Sequence, residues 1–259
     1  RDGATGSACS SWADGSACDA VATAETAAAR GDTIYIADGT YAATTFNTAV
    51  SGTTVITIKK ATAGDHGTET GWVAGYGDGV ATFPVGVTFS TNYWTFNGVV
   101  GGGVGAWTSG HGFAFTATAC SASGIYITIA TGVSNLTIQH TSFTETGNTE
   151  TCSPNLGIDA IYDSGIVTNS TFEYLHFDNL GGLPFFFREG SGQIVQYSWF
   201  GNICGRSIDT GSHCELWVSY GMDDVQFRWN YVSETPSSGG LVKNDTSTAS
   251  DFRIYGNVF

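Results

Sequence analysis

The sequence predicts an all-β parallel β-helix, a solenoid closed at one end by a short N-terminal capping α-helix. Three observations carry this. Helical periodicity is confined to one stretch near the N-terminus. Short β-rich runs ending in Gly, Asn, Ser or Thr fill the rest. In the second half, pairs of large apolar residues five apart recur: Ile138 and Phe143, Phe172 and Phe177, Val195 and Phe200, Phe227 and Val232, Ile254 and Phe259. Their second members are spaced 34, 23, 32 and 27 residues apart. A unit that short cannot bury its own apolar face and must stack on its neighbours. The variable spacing suits coils whose turns accept insertions. An antiparallel sandwich or barrel is the competing reading. It wants two-residue hairpin turns at regular places, which Asp38-Gly39 and Asn97-Gly98 do not supply.

Taken in order, Ala17 to Arg30 is Ala-rich, with Val21, Ala24 and Ala28 on one helical face. Ser16 or Asp14 is its candidate N-cap and Gly31 its stop. Residues 1–31 therefore read as the cap and 32–259 as the β-helix. Asp32 to Tyr41 alternates as a strand does, and strands are expected over Val55–Lys59, Tyr93–Val100, Gly112–Ala117 and Ile125–Ile129. Within each repeat, His140, Tyr174, Tyr197, Trp229 and Gly256 lie two residues after the first apolar position. Asn230 and Asn257 follow in equivalent places and would form an Asn ladder satisfying turn backbone groups. Phe259 closes a repeat, so either more chain follows or a partner covers that coil end, in the latter case by end-to-end stacking of copies.

Composition narrows the function. Charged residues are 12% of the chain, against about 25% in ordinary domains. The 9 basic and 23 acidic residues leave a net charge of −14, which excludes a nonspecific nucleic-acid binder and opposes anionic membranes. No apolar run approaches the ~18 residues of a membrane span. Six cysteines, Cys9, Cys18, Cys120, Cys152, Cys204 and Cys214, allow three disulfides, for which the sequence-local pairs are the simplest choice. With few Lys and one Met, they point to a secreted, extracellular protein.

The order of Ala-rich helix, Gly31-Asp-Thr-Ile-Tyr-Ile-Ala-Asp-Gly-Thr-Tyr41 and irregular coils such as Asp224-Val-Gln-Phe-Arg-Trp-Asn-Tyr-Val232 resembles the pectate-lyase-like right-handed parallel β-helix superfamily over nearly the whole chain. The resemblance implies the right-handed coil and a helix capping the N-terminal end. It leaves the function open among polysaccharide lyases, hydrolases, tailspikes, adhesins and structural solenoids.

A lyase of this superfamily usually needs a base and a cation that neutralises the uronate carboxylate. The candidates lie in the second half: Arg188, Arg206, Arg228 and Lys243 among acids that include Asp209 and Glu215. His213-Cys-Glu215 would place an imidazole and a carboxylate on one strand face. Asp209 with Asp223 or Asp224 is the candidate hydrolase pair. Asp223 and Asp224, in what reads as a turn at Gly221-Met-Asp-Asp, are candidate Ca²⁺ ligands. Trp72 and Trp107, in Gly-rich loops, are candidate glycan contacts, whereas Trp94, Trp199 and Trp229 read as wall or core. Surface ion pairs, a structural His–Glu bond, a solvated turn and local loop packing are the plainer readings of these groups. Asn135, Asn169 and Asn244 open N-glycosylation patterns. The leading expectation is a secreted structural or adhesive protein, either a filament subunit or a glycan-binding surface protein. The alternatives are a carbohydrate-active enzyme, foremost a Ca²⁺-dependent polysaccharide lyase or a glycoside hydrolase, and tailspike-like recognition of host glycans.

Overall fold

The computed structural model describes residues 1–118, 124–146, 157–203, 215–233, 241–244 and 250–259. The chain winds as a parallel β-helix. Each coil contributes a strand to each of three sheets, and every strand pairs in parallel with its counterpart one coil on. The sheets contain ten, seven and seven strands among the described residues. This is the coil architecture that the resemblance implies.

The five-residue spacing of the repeat is the distance from the last inward side chain of the first sheet to the inward side chain of the second. Ile34, Ile58, Phe96, Ile138, Phe172, Val195, Phe227 and Ile254 stand in register along the first sheet. Phe83, Phe115, Phe143, Phe177, Phe200 and Val232 do so along the second. The phenyl rings of that second column stack, with centroids 5.1 Å apart from Phe115 to Phe143 and 4.9 Å apart from Phe177 to Phe200. One continuous core runs the length of the solenoid. Dispersion and apolar burial are thus repeated once per coil.

Between these two columns the chain turns through a residue in the left-handed region. His140, Tyr174, Tyr197 and Trp229 have φ of 54°, 55°, 52° and 53°, and Gly256 takes the same place at 67°. Such a conformation costs a non-glycine residue about 1–3 kcal/mol, so each aromatic needs a compensating contact. The next residue points inward, and there the expected Asn ladder forms. Asn230 accepts from the Ser198 amide at 2.9 Å and donates to the Val195 carbonyl at 3.1 Å. Asn257 accepts from the Asn230 amide at 2.8 Å and donates to the Phe227 carbonyl at 2.9 Å. In the preceding coil the Ser198 hydroxyl accepts from the Leu175 amide at 3.1 Å.

The capping helix is shorter than its Ala-rich sequence predicts. It spans Val21–Ala27, and its N-cap is Ala20 without a side-chain cap, so neither Ser16 nor Asp14 serves. The shortening follows from anchoring. Buried Glu25 accepts from the amides of Asn47 and Thr48 at 2.9 and 2.7 Å and from the Thr48 hydroxyl at 2.7 Å. Arg30, just beyond the helix, donates to the carbonyls of Thr48, Ala49, Asn92 and Tyr93, and its guanidinium lies over Trp94. Residues 28–31 are recruited to the coils instead of extending the helix. The strands expected from residue pattern appear as Thr33–Ile36, Ile56–Lys60, Trp94–Asn97, Phe113–Thr118 and Gly124–Ile129.

Cys9 and Cys18 form a disulfide that ties the cap segment together. Cys120, Cys152, Cys204 and Cys214 lie outside the described residues. One expectation is corrected. Gly221-Met-Asp-Asp is not a turn, because Met222–Arg228 is one strand, kinked at Asp224, whose φ is 48°. Its pairing on both Glu189–Ser191 and Ile194–Gln196 extends it through the segment that looked like a loop.

Candidate functional site

The left-handed turn between the first and second sheets brings three columns of outward side chains side by side. The last outward position of the first sheet runs Tyr35, Lys59, Asn97, Gln139, Glu173, Gln196, Arg228 and Tyr255. The turn itself carries His140, Tyr174, Tyr197 and Trp229. The first outward position of the second sheet runs Ala114, Ser142, His176, Trp199 and Tyr231.

The turn aromatics stack face to face. Centroids are 4.7 Å apart from His140 to Tyr174, 5.2 Å from Tyr174 to Tyr197 and 5.3 Å from Tyr197 to Trp229, with interplanar angles of 5°, 11° and 17°. The spacing matches the ~4.8 Å rise between paired strands. These contacts offset the strain of the left-handed turns, and they leave ring edges and polar atoms facing outward. Among the described residues the phenol groups of Tyr174 and Tyr197 have no hydrogen-bond partner.

In the polar column the side chains are chained together. Gln196 donates to Glu173 at 2.7 Å, and the Arg228 Nε donates to Gln196 at 2.8 Å. Arg228 Nη1 donates to Gln226 and Tyr255 at 2.8 and 3.0 Å, and the guanidinium lies 4.6 Å from the Trp229 ring centroid. Its Nη2 has no partner among the described residues.

A Gly-rich insertion, residues 99–112, crosses this surface from the turn of the third coil. His140 Nδ1 donates to the Gly101 carbonyl at 2.6 Å. Gly102 must be glycine: its φ is 78°, and a Cβ there would lie 2.6 Å from the Tyr174 carbonyl oxygen. Trp107, carried by the insertion, has its ring 6.0 Å from that of Tyr231. At the insertion's end, buried His111 stacks on buried His176 at 5.6 Å, and His176 on Trp199 at 4.8 Å. Burial, aided for His111 by its histidine neighbours, pushes both imidazoles down to about 4, so both are neutral near pH 7.

The structure disperses most of the residues that sequence reasoning gathered. Arg228 lies in the site. Arg188 sits at the exit of the third sheet, exposed, with its guanidinium 5.7 Å from the Tyr162 ring, and Lys243 is in the third sheet. Glu215 precedes the third-sheet strand Trp217–Ser219. Arg206, Asp209 and His213 lie outside the described residues. Asp223 and Asp224 are on the same strand as Arg228 but at its other end. Asp223 accepts from Ser250 and from the Asp224 amide, and Asp224 is ion-paired with Arg253. That pairing does not fit a Ca²⁺ site, and among the described residues no three acidic, His or Cys side chains converge as metal ligands. Trp107 is in the site, while Trp72 belongs to an aromatic cluster at the N-terminal end. Trp94 is core, as expected. Trp229 belongs to the wall: it is 39% exposed and closes the turn ladder.

Sequence reasoning aligned His140, Tyr174, Tyr197 and Trp229 as a repeat position but did not assign them to a site. The signal was there in four consecutive repeats with an aromatic at a position flanked by inward residues on both sides.

No family model matches the chain, and no curated protein matches it. Among solved structures, an alginate lyase from Paenibacillus sp. str. FPU-7 is similar, at 12% identity and a TM-score of 0.45, over 92% of this chain and 94% of that one. Among the described residues no helix is long and apolar enough to cross a membrane.

Proposed function

We propose that the protein is a secreted carbohydrate-active β-helix that binds a polysaccharide along the turn ladder and cleaves it by β-elimination beside a uronate. One observation carries the reading: Tyr197, whose phenol has no partner among the described residues, stacks on Trp229 of the next coil, and over that same Trp229 ring lies the Arg228 guanidinium with an uncommitted edge. Arg228 Nη2 holds the substrate carboxylate and stabilises the charge that builds when the neighbouring proton leaves. Tyr197 gives its phenol proton to the leaving glycosidic oxygen and takes up the proton lost from the carbon beside the carboxylate, so it ends neutral as it began while the C–O bond breaks and the C=C bond forms. Gln196 and Gln226 fix the guanidinium, and Trp107 with Tyr231 walls the second-sheet side. Hydrolysis by paired carboxylates is disfavoured, because Glu173 is the one carboxylate in the three columns among the described residues and it is engaged by Gln196. The Cys9–Cys18 disulfide supports an oxidising, extracellular setting. No step is assigned to Ca²⁺.

The test is ultraviolet detection of unsaturated ends on a panel of uronate polysaccharides, with Ca²⁺ and with chelator. Tyr197→Phe keeps the ring in the stack and removes only the phenol. It is expected to lower turnover by at least 100-fold with unchanged thermal stability, and Arg228→Ala to lose turnover as well. Turnover that survives Tyr197→Phe sinks the assignment.

A second reading, adhesion without cleavage, is favoured by the ladder's geometry, since rings stacked face to face serve the coil as well as a ligand. Polysaccharide binding with no product across the panel would select it.

A further inference from the structure

A second aromatic cluster lies at the opposite end of the polar column, at Tyr35 and Lys59. Here Trp12, Tyr35, His66, Trp72 and Tyr76 pack mostly edge to face. Trp12 meets Trp72 at 4.7 Å and 64°, Tyr35 meets His66 at 4.5 Å and 89°, and Trp72 meets Tyr76 at 5.9 Å and 75°. In this packing Trp12 and His66 are buried, while Tyr35 is 39% exposed, with the Lys59 ammonium 5.6 Å from its ring centroid.

Beside the cluster a cavity of about 430 Å³ opens between the cap segment 8–12, α1 (Val21–Ala27) and the strand Thr33–Ile36. Its size is that of a small-molecule site. Val21 and Ile34 give it an apolar floor, Trp12 and Tyr35 an aromatic wall, and Asp32 and Glu69 an acceptor rim. Glu69 accepts from Trp12 Nε1 at 2.9 Å and from His66 Nδ1 at 3.1 Å. His66 is 4% exposed, and its Nε2 has no partner among the described residues.

We propose that this cavity is a second sugar site that holds a neutral pyranose residue. A pyranose has an apolar ring face and a hydroxyl edge, which match the aromatic wall and the carboxylate rim. The exposed Glu69 and Asp32 carboxylates, with Arg1 committed to Asp14 and Tyr76, oppose an acidic sugar. Tyr35 and Lys59 begin the column that ends at Arg228 and Tyr255, so one chain lying along the first sheet reaches both ends. Thr33, Thr57, Thr95, Thr137 and Thr171 line the same face in register. This rests on the reading of the turn ladder as a polysaccharide site, and it makes the substrate a heteropolysaccharide of acidic and neutral residues.

The experiment is calorimetric and saturation-transfer binding of the methyl glycosides of glucose, galactose and mannose to the whole chain. At least one is expected to bind, and Tyr35→Ala or Glu69→Gln to weaken it at least tenfold. Tyr197→Phe should leave this binding unchanged while abolishing turnover of the acidic polymer, so the two sites fail separately. No binding of any of the three glycosides, or binding untouched by both cavity variants, overturns the proposal. Because Tyr35 and Glu69 are exposed, both variants should retain the wild-type melting temperature.

Discussion

Asn230 shows how much one side chain does in this coil. Its amide satisfies the Ser198 N–H, the Val195 carbonyl and Asn257 at once, in a position 1% exposed. Asn230→Ala strands two buried backbone groups and is expected to cost about 2–6 kcal/mol, at about 1–3 kcal/mol for each unsatisfied group, read from urea unfolding. Asn230→Asp keeps the acceptor but sets a buried carboxylate oxygen against the Val195 carbonyl and Asn257 Oδ1, so it should be at least as costly as Ala above pH 7. Asp163 is a buried exception of another kind. It lies inward at the end of the strand Ile158–Asp163, accepts the Arg188 amide at 2.6 Å, and leaves Oδ2 without a partner among the described residues. Burial pushes its carboxyl up to about 8, which keeps it protonated through neutral pH.

At the scale of elements, the α1 cap holds by side chains rather than by its own helical stability. Seven residues are too few for a helix to stand alone in water. Glu25 accepts three hydrogen bonds from Asn47 and Thr48, and Arg30 donates to four carbonyls. Arg30→Ala is expected to speed amide exchange across Val21–Ala27 by at least tenfold while the strands from Trp94 onward keep their protection. Uniform loss of protection through all coils would refute this local anchoring. The three-column site is also an element-scale object. Its residues are spread over eight coils, and their alignment follows from strand register and not from local sequence.

For the whole molecule, three buried groups among the described residues carry the largest shifts between pH 4 and 8. His111 and His176 titrate near 4 when folded against 6.5 when unfolded, so the unfolded chain binds more protons between those values. Their stability contribution is present above about 6.5 and is lost as pH falls through about 4. Asp163 has the opposite sign: its contribution is full below 3.8 and is lost as pH rises through about 8. Two imidazoles outweigh one carboxyl over the acidic interval, and from about 6.5 to 8 the carboxyl's decline is opposed only in part by the N-terminal amine, which burial pushes down from its ordinary value. The melting temperature should therefore peak near pH 6.5. Asp163→Asn should remove the alkaline decline, and His176→Gln should shallow the acidic slope. A melting temperature that rises steadily from pH 6.5 to 8 would contradict the assignment.

The sequence by itself determined the coil. Apolar residues five apart with a turn residue between them can bury themselves only by stacking, so Ile138, Phe143 and their repeats dictated the solenoid and its register. Asn230 and Asn257 dictated the inward ladder, and Cys9 and Cys18, nine residues apart, their disulfide. The tertiary structure decided which polar residues meet. Arg188 and Lys243 go to the third sheet and Arg228 to the first, because each coil turns the chain through three sheets and sequence proximity says nothing about which sheet a residue reaches. Asp223 and Asp224 went to Ser250 and Arg253 for the same reason: their partners arrive one full coil later. Tyr197 and Trp229, thirty-two residues apart in the chain, come to stack because parallel pairing sets Gln196 beside Arg228 one position earlier.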